Sequence, residues 1–374
     1  LGRLSDRIGR KPVIAFSCIA WSLMTMLCGM AGNFLTLVLA RIGVAVGEAG
    51  GTAPSVAMGS DLYPANRRST ALSVLMLGSS LGAIVGLGLG GWIAQHHGWR
   101  YAFLLIGAPG IFLGLLLLLT VRAPKRVVPL GQVVAQQEGW LKTLVELFRM
   151  PSFLCLVLTG GAAAIAGYAI GTWSPSFLIR SHGLNLQEAG FLVGVVGGTG
   201  ATVGTLACGI LTDRMARRDV GWQIGVPLAG TLISIPFALS YFLWPQGTAF
   251  YIGSIAVPQA FVFYSAFSFF GVWWATPCLS AITHLFPATR LAQATAIFVM
   301  AMTLLGVGIG PLFVGMLSDF FVPTLGSESL RYALASSVSM LVLACVFLTL
   351  ALPRYRQQMK EPAAHLTAVR PVAA

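Results

Sequence analysis

The sequence predicts an all-α protein that crosses a membrane many times, and three observations carry that reading. Of its 374 residues, 56% are hydrophobic and only 9% charged, whereas soluble domains run near 25% charged. Mean hydropathy is +0.83, and the apolar residues gather into runs of about 20, the length at which a helix spans bilayer hydrocarbon. The cations also alternate along the chain. Nineteen of the 23 Lys and Arg fall in segments 1–12, 67–68, 122–149, 214–218, 290 and 354–370, and only Arg100, Arg180 and Arg331 fall in the alternate connections. The positive-inside rule places the cation-rich side in the cytoplasm, with the N-terminal loop and C-terminal tail both there and the chain in the cell's inner (plasma) membrane. The net charge of +12 belongs to that distribution, so the expected partner is a lipid bilayer and not nucleic acid.

The spans follow in order. Residues 1–12 are polar and basic. Val13–Ala31 is the first apolar run, and the uncharged Gly32-Asn33 link leads straight into the second, from Phe34. Ser69–Ala94 is a third, rich in glycine, and Arg100–Val121 a fourth after the turn QHHGW. Residues 122–152 form a basic linker broken by Pro124, Pro129 and Pro151, within which GWLKTLVELFRM has the pattern of an amphipathic surface helix. Six further spans are expected near 153–179, 187–211, 222–244, 255–284, 291–318 and 330–352. The stretch Phe250–His284 is too long for one straight span, and Pro258 is expected to start or kink it. The tail 353–374 is polar and expected to be disordered. The domains are thus 1–121, the linker 122–152, a second bundle 153–352 and the tail. The six cysteines lie singly in apolar runs with no metal-ligand or redox spacing, and read as small core residues.

A parallel internal repeat relates the halves. Asp61-Leu-Tyr-Pro-Ala-Asn-Arg67 is echoed by His284-Leu-Phe-Pro-Ala-Thr-Arg290, and Pro54 and Pro64 stand the same 223 residues before Pro277 and Pro287. Arg100-Tyr-Ala102 recurs as Arg331-Tyr-Ala333, and Gly2-Arg-Leu-Ser-Asp-Arg7 as Gly209-Ile-Leu-Thr-Asp-Arg214. Two spans precede the second GxLxDR element and none the first, so the ten spans are expected to be helices three to twelve of a six-plus-six bundle, the first two missing.

The second span carries charge. Arg41 and Glu48 are seven residues apart, about two turns, and so share one face. A charge in the hydrocarbon costs at least about 2.5–3.5 kcal/mol and normally faces a bundle interior or wet cavity. Gly43, Gly47, Gly50 and Gly51 surround them, the residue type that lets membrane helices approach closely. Glu48 lies about 22 Å along its helix from Asn33. The pair reads as a substrate or proton site; the alternative is an ion pair that only serves the fold.

GRLSDRIGRKP resembles the signature loop of the major facilitator superfamily, G-x-L-x-D-R-x-G-R-[RK], at Gly2, Leu4, Asp6, Arg7, Gly9, Arg10 and Lys11. The resemblance implies two pseudo-symmetric helical bundles around a cavity that opens alternately to each side. It also implies a conformational latch at Gly2, Asp6, Arg7, Gly9 and Arg10, with Asp61 and Arg67 beside it and a second copy at Asp213 and Arg214. More narrowly, Arg41 with Gly47-Glu48-Ala49, followed by an Asp-Leu-Tyr-Pro ending, resembles the Spinster branch, which implies a proton-linked transporter of amphiphiles. That branch has an acid in its first helix, one of the two helices expected to be missing here. Gly82, Gly86 and the glycines after them resemble the antiporter element G-x-x-x-G-P-x-x-G, with Leu87 in the proline's place.

Tyr168, Trp173, Trp273 and Trp274 are candidates for lining the cavity, though a Trp pair is more often core or interface belt. No GxSxG, P-loop or metal spacing occurs, so no enzyme activity, metal or cofactor is expected. The reading is a secondary active transporter, proton-coupled and monomeric, moving a small organic amphiphile or anion. The alternatives are a sugar-acid or carboxylate permease in which Arg41 binds the carboxylate, and a truncated, non-transporting membrane protein.

Overall fold

The computed structural model describes residues 9–62, 78, 82, 84–121, 146–253, 255–286 and 288–360. It is helical apart from one short hairpin. Two compact units divide the chain: residues 1–132 with Asn185–Val195, and residues 133–184 with 196–374. The sequence put the division in the linker alone and assigned 185–195 to the second bundle.

In the first unit, α1 (Arg10–Met30) begins after Gly9, whose φ of 97° suits only glycine. Asn33 then caps α2 (Phe34–Leu62), its Oδ1 accepting the Thr36 N–H at 2.9 Å. This explains how so short a link can join two long helices. The helical residues 84–97 (α3) and α4 (Trp99–Thr120) meet at Gly98, with φ 86°. Glycine decides the packing here. A Cβ on Gly107 would stand 3.0 Å from Ser22 O and one on Gly114 3.1 Å from Ala15 O, while Cys18 Sγ donates to Gly110 O at 3.2 Å. Bare backbone on α4 thus lets α1 come close, which is how membrane helices gain contact without a hydrophobic drive.

The second unit opens with α5 (Pro151–His182), which ends at Gly183, φ 69°, in the left-handed C-cap that glycine favours. Asn185 and Glu188 form a capping box at the start of α6 (Leu186–Phe191), a piece that belongs to the first unit. A π-helical turn, Leu192–Gly197, leads into α7 (Gly198–Ala216), and α8 (Trp222–Leu243) follows. Strands β1 (Thr248–Ile252) and β2 (Ile255–Pro258) pair antiparallel before α9 (Gln259–Phe270). After an irregular turn at 271–274 come α10 (Ala275–Leu285) and α11 (Ala288–Thr303). A second π turn, Leu304–Ile309, precedes α12 (Gly310–Leu325), and the chain closes with α13 (Ser329–Ser337) and α14 (Ser339–Lys360).

Among the described residues, seven helical stretches are long and apolar enough to cross a membrane; the last, Gln293–Met359, runs 67 residues through several helices. Large apolar side chains cover the outside: Phe34, Leu119 and Phe320 are 81%, 84% and 76% exposed. Such a surface would aggregate in water and is what lipid-facing helices require. This is a multi-pass membrane protein.

Three elements differ from expectation. The hairpin 248–258 occupies what read as the approach to a span, and α9 starts immediately after Pro258, as expected of that residue. The span 255–284 is broken at Gly271–Trp274. Helix α14 continues through Pro353 to Lys360, where a tail was expected, because Leu348, Ala351 and Tyr355 remain on one buried face.

Candidate functional site

Helix α2 shows three stripes. Ala40, Val44, Gly47 and Gly51 are buried, and Trp21 of α1 fills the notch: a Cβ on Gly47 would stand 2.8 Å from the Trp21 backbone N, and one on Gly51 2.6 Å from its ring. Leu35, Leu39, Ile42 and Val46 form an apolar stripe that is 55–65% exposed. Arg41 and Glu48 lie on a third flank, about a quarter turn from the packed face, and both are exposed. The glycines therefore serve packing, and the charges stand clear of that packed face. The Arg41 guanidinium carbon lies 5.0 Å from the centre of the Phe103 ring of α4, within cation–π range. An apolar cleft of about 410 Å³ at the Met30 end of α1 and start of α2, lined by Met24, Leu27, Met30 and Leu39, includes neither charge.

The aromatic candidates divide. Tyr168 of α5 is 47% exposed and packs on Gly306 of the second π turn, where a Cβ would stand 2.6 Å from its ring. Trp173 donates Nε1–H to Pro311 O at 2.9 Å, tying α5 to α12. Trp273 and Trp274 are both 8% exposed. Trp273 lies in a core with Cys208 and Val226, and Cys208 Sγ donates to its carbonyl at 3.2 Å. These contacts describe Trp173 as a strut and Trp273 as core.

The latch residues Gly2, Asp6, Arg7 and Arg67 lie outside the described residues. Gly9 and Arg10 start α1, Asp61 is within α2, and Asp213 and Arg214 are exposed in the last turn of α7. The linker helix lies outside the described residues up to 145. Its Glu146 pairs with Arg290 at 3.0 Å, and Arg356 pairs with Asp219. Neither pair was singled out in the sequence, because their members lie far apart along the chain. Arg290, as the repeat partner of Arg67, was the available signal.

The two π turns were also missed. They read Leu192-Val-Gly-Val and Leu304-Leu-Gly-Val, and such turns are frequent at functional sites. Gly194 meets Leu87 and Ile84 O of α3, and Gly91 meets Leu186 O, so part of the glycine-rich span does pack closely. Gly86 and Gly88 meet nothing within 4 Å among the described residues.

The profile of the Major Facilitator Superfamily matches residues 1–276. The chain belongs to this superfamily. An MFS-type efflux pump of Mycolicibacterium smegmatis is 33% identical over 367 residues, 97% of this chain and 82% of that protein. The crystal structure of a bacterial homologue of the human lysosomal transporter Spinster, inward-facing and unoccupied, aligns with a TM-score of 0.83 at 27% identity, covering 96% of this chain and 86% of that one. Its occupied form gives 0.81 at 26% identity, over the same shares. A D-xylose–proton symporter shares the fold, with a TM-score of 0.68 at 18% identity over 93% of this chain and 82% of that one. The chain is accordingly a transporter of the superfamily, which is not a family of enzymes.

Proposed function

We propose that this superfamily member is a proton-coupled exporter of an organic amphiphile or anion, working by alternating access as a single chain in the bacterial inner membrane. The observation that carries the proposal is the flank of α2. Arg41 and Glu48 share one side of a membrane helix, and neither belongs to the stripe that packs against α1. An ionisable side chain kept at membrane depth outside the packing face is costly unless it meets water, substrate or a partner. In this mechanism Arg41 attracts an anionic group of the substrate, Glu48 takes up and releases the proton, and Tyr168 offers an exposed ring. The M. smegmatis efflux pump supports outward movement. The resemblance of Arg41 and Gly47-Glu48-Ala49 to the Spinster branch supports an amphiphilic cargo. The cation distribution supports a cytoplasmic N-terminal loop and tail. The basic motif around Asp6, its second copy at Asp213 and Arg214, and Asp61 with Arg67 serve as the latch between conformations.

Reconstitution into proteoliposomes tests the proposal. A panel of lysophospholipids, lipophilic cations and simple carboxylates is offered with and without an imposed pH gradient. A substrate that accumulates with the gradient and stops when a protonophore is added is the expected result. Accumulation indifferent to the protonophore would remove the coupling, and selective movement of sugar acids would favour the permease alternative.

A further inference from the structure

Arg100 and Arg331 occupy the same position in the two copies of Arg-Tyr-Ala, yet their surroundings differ. Arg100 donates from Nη2 to the Ala31 carbonyl at 3.2 Å, closing the end of α1. Arg331, at the start of α13, pairs through Nη1 with Glu328 at 2.8 Å. Its Nε and Nη2 are buried and have no hydrogen-bond partner among the described residues. Those two atoms form the side-on fork of the guanidinium, which matches a planar oxyanion with two parallel hydrogen bonds. His182 Nε2, at the end of α5, is also buried without such a partner.

One ring joins the two groups. Phe177 is fully buried; His182 stacks edge-on to it at 5.3 Å, and the Arg331 guanidinium carbon is 6.0 Å from its centre. Tyr241 meets the same ring at 5.2 Å, and its hydroxyl and that of Ser174, one turn before Phe177, are buried there and interact with each other. Buried polar atoms in a native protein are almost always satisfied. Here they gather in one place, and the fork supplies positive charge with donors side by side.

We infer that Arg331 and His182 form a binding site for a small planar monovalent oxyanion at the His182 end of α5, within the second unit. Nε and Nη2 of Arg331 donate to two oxygens of the anion, and His182 donates to it from Nε2. The inference does not depend on the identity of the transported substrate.

Thermal unfolding of the purified full chain in phospholipid-free detergent tests it. Nitrate and formate are titrated against gluconate at fixed ionic strength, gluconate being too bulky to reach donors that are themselves buried. The expected result is a saturable rise in melting temperature of about 2 °C or more with nitrate and formate. The rise is lost in Arg331→Lys, which keeps the charge but not the fork. In His182→Gln its midpoint moves at least about threefold higher in concentration, and in Arg100→Lys it is unchanged. A wild-type protein that shows no saturable rise overturns the inference without any variant, as does an undiminished rise in a folded Arg331→Lys. A response that appears only when phosphatidylglycerol is added overturns it too, by assigning the fork to a lipid phosphate.

Discussion

The guanidinium of Arg41 stands 5.0 Å above the ring of Phe103, so a charged group of α2 is oriented by an aromatic of α4. A cation over an aromatic face gains about 0.5–1 kcal/mol where exposed and more where water is excluded. That contact aims the long Arg41 side chain instead of leaving it to sample rotamers. Phe103→Leu is therefore expected to lower the apparent affinity for substrate several-fold with little change in folded yield, and Phe103→Tyr to restore it. Concentration-dependent transport by the two variants checks this; equal affinities in wild type and Phe103→Leu would show that the ring does not position Arg41.

The glycines of two neighbouring spans are expected to respond in opposite ways. On Gly47 a methyl group meets Trp21 backbone at 2.8 Å, which cannot move aside as a flexible side chain would. Gly47→Ala should cost about 1–3 kcal/mol, the usual penalty for overpacking. Gly86 meets nothing within 4 Å among the described residues, so Gly86→Ala is expected to be neutral or to stabilise by up to about 1 kcal/mol through helix propensity. Thermal unfolding in detergent compares the pair.

Much of this was legible in the sequence, for identifiable reasons. The multi-pass helical character follows from hydropathy, whereas the parallel repeat is read from matched prolines, of which Pro64 and Pro287 lie outside the described residues, and from the Arg-Tyr-Ala triplets. The close approach of α2 to α1 follows from Gly43, Gly47 and Gly51. The hairpin was written as TAFYI-GS-IAVP, two β-prone runs around a two-residue turn, but an apolar strand beside a membrane span looks like more span. The extension of α14 was hidden by composition: RYRQQMK is polar, yet Tyr355 continues the spacing of Leu348 and Ala351 and is fully buried. The break at Gly271–Trp274 and both π turns depend on backbone geometry that residue types signal only weakly. The fork of Arg331 and the Glu146–Arg290 pair are long-range facts, which no local pattern contains.

The Glu146–Arg290 pair ties the end of the linker to the start of α11. Its side chains are 33% and 37% exposed, and pairs of that kind contribute about 0–1 kcal/mol. Glu146→Arg or Arg290→Glu alone should therefore lower stability by no more than about 1 kcal/mol plus like-charge repulsion, and the double reversal should recover it. A double-mutant cycle on thermal unfolding measures the coupling; none at all would mean that the two side chains act independently.

Glu48 gives the sharpest test of mechanism. It lies two turns beyond Arg41 on the same flank, clear of the stripe that Trp21 covers. Read as a span of roughly 30 Å of hydrocarbon, α2 would hold this carboxyl about 22 Å from Asn33, at neither membrane face. A proton carrier must reach each side in turn and change its protonation between them, and a carboxyl at that depth on an exposed flank meets both needs. Glu48→Gln keeps the size and hydrogen-bonding capacity but cannot release a proton. It is expected to abolish transport driven by a pH gradient while gradient-free exchange of substrate continues at a substantial fraction of wild-type rate. If Glu48 serves only the fold, the same variant should lose expression and thermal stability, and whatever transport survives should keep the wild-type dependence on pH. Counterflow and gradient-driven uptake in proteoliposomes, each normalised to folded protein, separate the two: loss of both activities in equal proportion, or retention of both, would remove Glu48 from the proton path.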